Sequence, residues 1–305
     1  MLKISVAMTS YNGEKFIKTQ LSSLLKQIRK PDEVIIVDDV STDNTVKIIK
    51  DFITENELTE WKLTVNEENL GFKQNFKKAL SLATGDIIFL CDQDDCWCED
   101  KIESISSIFY TNPDILAVNS SFTVIDGDGV EDDKTYKRGK NNYGLIDENL
   151  KKQLTKIKLS TVIHCNISPG CTMAVRRELT QEYVKNTECI LPHDYELNIM
   201  ASAKNLLYFY DAPLIKYRIH SGNAIGLEIK PQSRTQIATE KLAGARVVYA
   251  CTGNDGLVRL CGERLRSLTT LSLFGILKLW FFKDYYKYFP LRERVGDILY
   301  IFGRR

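Results

Sequence analysis

The chain reads as an α/β protein: a mostly parallel sheet flanked by helices, then a helical C-terminal extension. Three observations predict this. Short apolar runs of the kind that form buried strands alternate with helical-period segments three times in succession, ending at the run Ile87 to Cys91. Polar and acidic residues follow directly on three of those runs. From Arg234 onward the apolar spacing stays helical to the end.

The elements follow in order. Leu2 to Met8 is a strand, and Ile17, Leu21, Leu24, Leu25 and Ile28 recur at helical spacing. Glu33 to Val37 is a continuous apolar strand. Ser41-Thr42-Asp43 offers a cap before the helix carrying Val46, Ile49, Phe52 and Ile53. Lys62 to Val65 is a third strand, Phe72, Phe76, Leu80 and Ala83 mark a third helix, and Ile87 to Cys91 is the fourth strand. After Val118 the pattern changes. Asp126 to Glu148 is polar and glycine-bearing and reads as a long loop or small insertion. Order returns at Ser160 to Val175, followed by a helix from Asp194 to Lys204 and strands at Leu206–Tyr210 and Leu214–Ile219.

At 305 residues the chain is long enough for one large domain with an appendage, and its net charge of +1 gives no reason to expect nucleic acid as a partner. Met1 leads at once into the first strand, so no secretory leader is expected. The eight scattered cysteines then read as reduced thiols in the cytoplasm. Cys91, Cys96 and Cys98 lack a second pair at zinc-ribbon spacing. Leu271 to Phe282 is the longest apolar stretch, interrupted by Lys278 and too short to span a bilayer. The aromatic and basic residues after it, through Phe289, suit a membrane interface, and equally a core hairpin with a solvated basic edge.

The chemistry gathers where strands end. Asp92, Asp94 and Asp95 follow the fourth strand, and carboxylates leaving a core together call for a cation. Hard oxygen ligands suit a divalent metal, while an acidic turn is the plain alternative. Thr9-Ser10-Tyr11-Asn12 and Asp38-Asp39 end the first two strands. In a parallel sheet these carboxyl ends are where ligands bind. The turn after the first strand has neither the glycine-rich basic loop of a pyrophosphorylase nor the G-x-G-x-x-G of a dehydrogenase. A phosphatase with an Asp nucleophile would leave Asp38-Asp39 unexplained.

The ordered set Val6 to Gly13, Val37 to Asp43, Asn69-Leu70-Gly71, Thr84-Gly85-Asp86 and Asp92-Gln93-Asp94-Asp95 resembles the inverting glycosyltransferases of family 2, which have the GT-A (nucleotide-diphospho-sugar transferase) fold. Gly170 to Met173, His193 to Leu197 and Tyr217 to Asn223 look like the branch containing bacterial rhamnosyltransferases. The resemblance implies a GT-A domain over 1–230, with a nucleotide-binding half at 1–118 and an acceptor half at 119–230, and a helical extension over 231–305. It implies a nucleoside-diphosphate sugar donor, a glycan or lipid-linked acceptor, and Mg²⁺ or Mn²⁺ as cofactor.

Residue roles carry over position by position. Asp39 would accept from the base imide, or shape its own loop. Thr9 and Tyr11 would wall the base and ribose, with Tyr11 alternatively a core aromatic. Asp92 would face the ribose, Asp94 would hold the metal, and Asp95 would orient them or meet the sugar. Asp194 would be the catalytic base, or else the N-cap of its helix, with Glu196 as fallback. His220 would join the metal shell, Arg218 would pair with diphosphate, and Lys73 would lie near the diphosphate or on a solvated face. His164 reads as structural. The C-terminal extension would give a peripheral contact at the inner face of the membrane or a homo-oligomer contact. A catalytically inactive sugar-nucleotide binder or assembly protein is the other class, and intact Asp92, Asp94 and Asp194 argue against it.

Overall fold

A parallel half-sheet opens the computed structural model, which describes residues 2–131, 154–163, 166–185, 190–221 and 233–303. β1 (Ile4–Ser10), β2 (Glu33–Asp38) and β4 (Ile87–Cys91) are buried along their whole length. Continuous apolar runs are what strands covered on both faces require. β3 (Trp61–Val65), partly exposed, forms the edge. The covering helices are α1 (Ile17–Leu25), α2 (Thr45–Glu55) and α3 (Gly71–Leu82). The order β3-β2-β1-β4 is parallel throughout. The chain therefore reverses its direction of winding between β1 and β4, which opens a crevice at their carboxyl ends.

The second half is mixed. β8 (Met173–Arg176) runs antiparallel to β4, and β6 (Ala117–Ile125) antiparallel to β8. β9 (Leu207–Arg218) is parallel to β6, and the short β5 (Cys96–Trp97) and β7 (Leu154–Lys156) pair antiparallel with β9. β8 enters from a single 3₁₀ turn at Gly170–Thr172, with no crossover helix to bring it in parallel. The two strands expected at 206–219 are one strand. The break falls where the β6–β9 register shifts, beside Pro213, which has no N–H for the ladder. α4 (Lys101–Thr111), with Ile102, Ile105 and Phe109 buried, adds to the expected helices. Residue 118 lies inside β6. The boundary near 230, most of the Asp126–Glu148 loop, His164, Cys165, Cys189 and the Gly222-Asn223 end of the last motif lie outside the described residues.

The short α5 (Leu159–Val162), α6 (Arg177–Lys185) and α7 (His193–Ala203) lead to the C-terminal helices: α8 (Arg234–Thr252), α9 (Gly256–Thr269), α10 (Leu273–Leu279), α11 (Lys283–Tyr288) and α12 (Leu291–Ile301). α8 begins with a reciprocal capping box between Ser233 and Gln236 and stops at Gly253, whose φ of +69° suits glycine. Its Ala243, Ala245 and Val248 join Leu260, Leu268, Ile276 and Tyr285 in the same core as α7 and one face of the sheet. Inside this helical region Arg264 grips Asp297 through two hydrogen bonds of 2.7 and 2.8 Å. Lys241 pairs with Glu293 beside it. No helix among the described residues is long and apolar enough to cross a membrane.

At the amino ends of the strands, Glu33 ties three elements. Its carboxylate accepts from Ser5 Oγ, from Thr84 N and Oγ1, and from Lys3 Nζ. Gly85 packs so closely that a Cβ would sit 2.4 Å from Ser5 Oγ, which explains the Thr-Gly-Asp motif as a close approach of backbones. Burial alone would raise the Glu33 pKa, but the hydrogen bonds from Ser5 and Thr84 outweigh it and draw it down to about 2. Stability from this group is complete above the ordinary carboxylate pKa near 4.5 and is lost as pH falls through about 2. Glu33→Gln should cost about 1–3 kcal/mol in denaturant titration at pH 7 and flatten the acid limb of stability between those two values.

Candidate active site

The loops after β1 and β2 are fastened to each other. Asn12 Oδ1 accepts from Thr42 N (2.8 Å), Ser41 Oγ accepts from Asn12 N (2.8 Å), and Thr45 Oγ1 accepts from Gly13 N (2.7 Å). Asp43 receives Thr45 N and Glu14 N, so it braces the start of α2 and the β1 loop together. Asp38 is consumed by Ser10 and Ser41. Asp39 is 3% exposed: its Oδ1 accepts from Asn66 Nδ2 (2.7 Å) and Leu70 N (2.8 Å), and its Oδ2 from Gly71 N (2.8 Å). Asp39 thus shapes the Asn69–Gly71 turn, where Gly71 has φ +75°, and its Oδ2 has acceptor capacity left. Thr9 is buried at the end of β1. Tyr11 is 48% exposed, so it is no core aromatic.

Gln93, the residue between Asp92 and Asp94, joins this corner to the acidic loop. Its Nε2 donates to Tyr11 O (3.0 Å) and its Oε1 accepts from Tyr11 N (2.9 Å). A Cβ on Gly13 would lie 2.1 Å from that amide, so a larger residue there would displace Gln93 from Tyr11. The register places Ser10 against Asp38 and Met8 against Cys91, so Thr9, Tyr11, Asp39 and Asp92 stand at the ends of three adjacent strands.

The acidic loop is held from β9. Arg218 donates its backbone N–H to Asp95 Oδ1 (3.0 Å) and its Nε to Asp94 O (2.8 Å). Its Nη1 reaches Asp126 O and Gly127 O. His220 Nε2 lies 2.8 Å from Asp94 Oδ2, and the faces of Arg218 and His220 rest on Phe16. Asp95 Oδ2 is buried without a hydrogen-bond partner. Burial and the Asp94 charge raise Asp95 to about 7. Asp92 is pushed well up by burial, then by Asp95, Asp94 and Asp194. Below them Lys101 is fully buried, its ammonium donating to Cys171 O and lying 3.6 Å from the Trp97 ring centre. Burial lowers this lysine to about 8, against the charges of the groups it supports.

These carboxylates are fit for a hard cation. Ligand atoms of Asp92, Asp95 and Cys171 lie within 4.8 Å of one another, the one such cluster among the described residues, and an unpartnered oxygen points to a missing positive charge. The Cys171 thiol is driven well up by burial and by Asp95 and Asp92, which leaves oxygen as the dominant donor.

Asp194 stands across from this cluster, near enough for its charge to raise Asp92. Pro192 holds the N-cap position of α7, so the capping reading of Asp194 does not hold. Its Oδ2 instead accepts from Asn166 Nδ2 at 2.6 Å. Burial raises Asp194 to about 6, opposed by Asn166 and by the first N–H groups of α7. His193 stacks on Phe76 at 3.8 Å between centres, and burial lowers it to about 3, so it is neutral. Glu196 accepts from Leu191 N and clasps the loop before α7. Lys73 Nζ donates to Ile190 O, in that same loop.

Sequence patterning did not bring out Gln93, Phe16, Lys101, Cys171's place in the cluster, or Asn166. Lys101 was discoverable as a cation directly before the apolar face of α4, at Ile102; the others depend on contacts between distant segments.

The mixed sheet with its flanking helices is a GT-A-like fold. The family model "Glycosyl transferase family 2" matches residues 5–184, more than half of the chain, and the chain belongs to that family: it is a glycosyltransferase. The dTDP-rhamnosyl transferase RfbG of Shigella flexneri is 29% identical over 73% of this chain and 74% of its own length. The glucosyltransferase WfgD of Escherichia coli, described as acting on α-D-GlcNAc-diphosphoundecaprenol, is 32% identical over 42% of this chain and 48% of its own. TarS of Staphylococcus aureus with UDP-GlcNAc superposes with a TM-score of 0.61 at 19% identity, over 98% of this chain and 82% of that one. The GT-A expectation is thereby met at the level of fold.

Lys101→Met should destabilise the protein by about 2–4 kcal/mol, and adding Asp95→Asn should recover about 1–2 kcal/mol. A double-mutant cycle in denaturant checks it; strict additivity would detach Lys101 from the acidic loop.

Proposed function

We propose that this chain is a metal-dependent inverting glycosyltransferase. It moves one sugar from dTDP-rhamnose or a UDP-sugar to a glycan or lipid-linked acceptor in bacterial surface polysaccharide synthesis. The observation that carries this reading is Asp194: a carboxylate held by Asn166, raised by burial to about 6, and facing the acidic loop. A base poised near the working pH accepts a proton effectively.

In the reaction the acceptor hydroxyl oxygen bonds to the anomeric carbon as the bond from that carbon to the diphosphate oxygen breaks. The hydroxyl proton passes to Asp194, and the single displacement inverts the centre. Retention through a covalent intermediate would need a second carboxylate as nucleophile. Asp94 and His220, with Asp92 and Asp95 beside them, would hold Mg²⁺ or Mn²⁺. When bound, the ion supplies positive charge to the departing diphosphate. Thr9, Tyr11 and the free capacity of Asp39 Oδ2 would receive the base and ribose. Asp92 would reach the ribose, and Lys73 would exchange Ile190 O for the diphosphate. In this division residues 1–118 hold the donor and 119–230 face the acceptor. The family membership, the nucleotide-sugar complexes of similar folds and the Mn²⁺ in the GDP-Man complex of a mannosyltransferase from Pyrobaculum calidifontis (TM-score 0.54) support the assignment.

The C-terminal helices would rest on an anionic bilayer at its inner face, near a lipid-linked acceptor. Phe274 (81% exposed) and Leu277 lie on α10 with Phe281 (90% exposed) in the turn after it, and Leu291, Val295 and Leu299 follow one face of the adjoining α12, with Phe302 at its end. Lys278, Lys283, Lys287 and Arg292 interleave with them against Asp284 alone between 271 and 292. Lysines among aromatics suit lipid headgroups, whereas protein interfaces are poor in lysine.

Asp194→Asn should reduce transfer about 10²–10⁴-fold while donor binding persists, and excess EDTA should abolish turnover. In the native enzyme kcat/KM should climb tenfold per pH unit below about 6 and then level as Asp194 loses its proton. Undiminished turnover in the Asn variant, or in EDTA, contradicts the corresponding role. For the surface, Phe274→Asp with Phe281→Asp should abolish cosedimentation with phosphatidylglycerol vesicles. Unchanged cosedimentation, or a concentration-dependent dimer lost in the variant, would assign that face elsewhere.

A further inference from the structure

Three asparagines, the half-buried Asn166 and the fully buried Asn198 and Asn119, form a directed chain ending on Asp194. Asn166 Nδ2 donates to Asp194 Oδ2 (2.6 Å), Asn198 Nδ2 donates to Asn166 Oδ1 (2.8 Å), and Asn119 Nδ2 donates to Asn198 Oδ1 (2.7 Å). The segments are far apart in sequence: Asn119 lies in β6 at the centre of the sheet, Asn166 precedes the 3₁₀ turn, and Asn198 is one turn beyond Asp194 on α7.

The direction of each amide is fixed by chemistry. Ile167 N, which can only donate, lies 3.0 Å from Asn166 Oδ1. Oxygen must therefore face that way, which turns the NH₂ group toward the carboxylate. Asn198 must then present its NH₂ to Asn166, and its oxygen receives Asn119. At the far end Asn119 Oδ1 is buried and without a partner. The row therefore ends in the core, and amides do not titrate, so what it transmits is orientation rather than a proton. Apolar residues at 119 and 198 would fill this interior without the cost of burying amides.

We propose that Asn166, Asn198 and Asn119 are positioning residues that lock the plane of the Asp194 carboxylate. The proposal rests on Asp194 being the base. The other groups facing it are Asp92 from the loop after β4, neutral His193, and Glu196, which is occupied with Leu191 N. None of these donates to Asp194 Oδ2, so the amide row is what opposes burial there from outside α7.

The test uses metal-supported hydrolysis of a nucleotide sugar, read as released nucleoside diphosphate, with whichever of the UDP-, dTDP- and GDP-sugars gives the largest thermal shift. Asn166→Leu should lower kcat about tenfold or more and move the acid limb up by about one pH unit, with donor KM unchanged. Asn198→Leu, which leaves Asp194 and its direct partner in place, should act in the same sense by about three- to tenfold; Asn198→Ser serves if the leucine variant does not fold. Ile49→Ala, a core truncation under α2, should lower the melting temperature while kcat and the acid limb stay put. If the asparagine variants behave like Ile49→Ala, losing only thermal stability while Asp194→Asn is inactive, the positioning role is wrong. If Asp194→Asn itself keeps full hydrolysis, the fault lies with the base assignment instead.

Discussion

The repulsion among carboxylates at the end of β4 is the constraint on which the rest of the molecule depends. Asp92, Asp94 and Asp95 share a buried corner with Asp194 opposite, and burial raises every one of them whose shift is resolved. Lys101 lies beneath, tied to the backbone before β8. Arg218 grips the loop from β9, so three strands and α4 converge on one electrostatic problem. These cations do not complete the neutralisation, since Asp95 Oδ2 has no partner. In the proposed function a divalent ion would supply the missing charge.

Around that corner the loops are rigidified by their own polar groups. Gln93 fastens the acidic loop to Tyr11, Asp39 fastens β2 to the start of α3, and Asp43 fastens the β1 and β2 loops. Each bond joins segments some thirty or more residues apart, so the surface they form has its shape already set. The side facing Asp194 is organised differently, through uncharged amides buried in the core. A cation there would hold the Asp194 carboxyl ionised, whereas amides orient it at lower electrostatic cost.

Local periodicity was enough for the parallel half. β1, β2 and β4 are uninterrupted apolar runs, and α2 and α3 present clear buried faces. The mixed half was harder because β8 and β5 are too short to show a period, and because Pro213 interrupts β9 in sequence without interrupting it in space. Asp92, Asp94 and Asp95 stood out as carboxylates where the chain leaves the core, and Asp194 through the family resemblance. Asp39's part in its turn did not, since the N–H groups of Leu70 and Gly71 announce nothing in a sequence. The amide row was invisible for the same reason: Asn119, Asn166 and Asn198 are ordinary polar residues until the sheet brings them together.

The most direct measurement of the central claim is a crystal structure with Mn²⁺ and a hydrolysis-resistant nucleotide sugar. The account predicts the ion on Asp94 and His220, and Asp194 facing the anomeric carbon from the side opposite the diphosphate. A donor seated with its anomeric carbon turned away from Asp194, or an ion bound away from the Asp92–Asp95 loop, would contradict it.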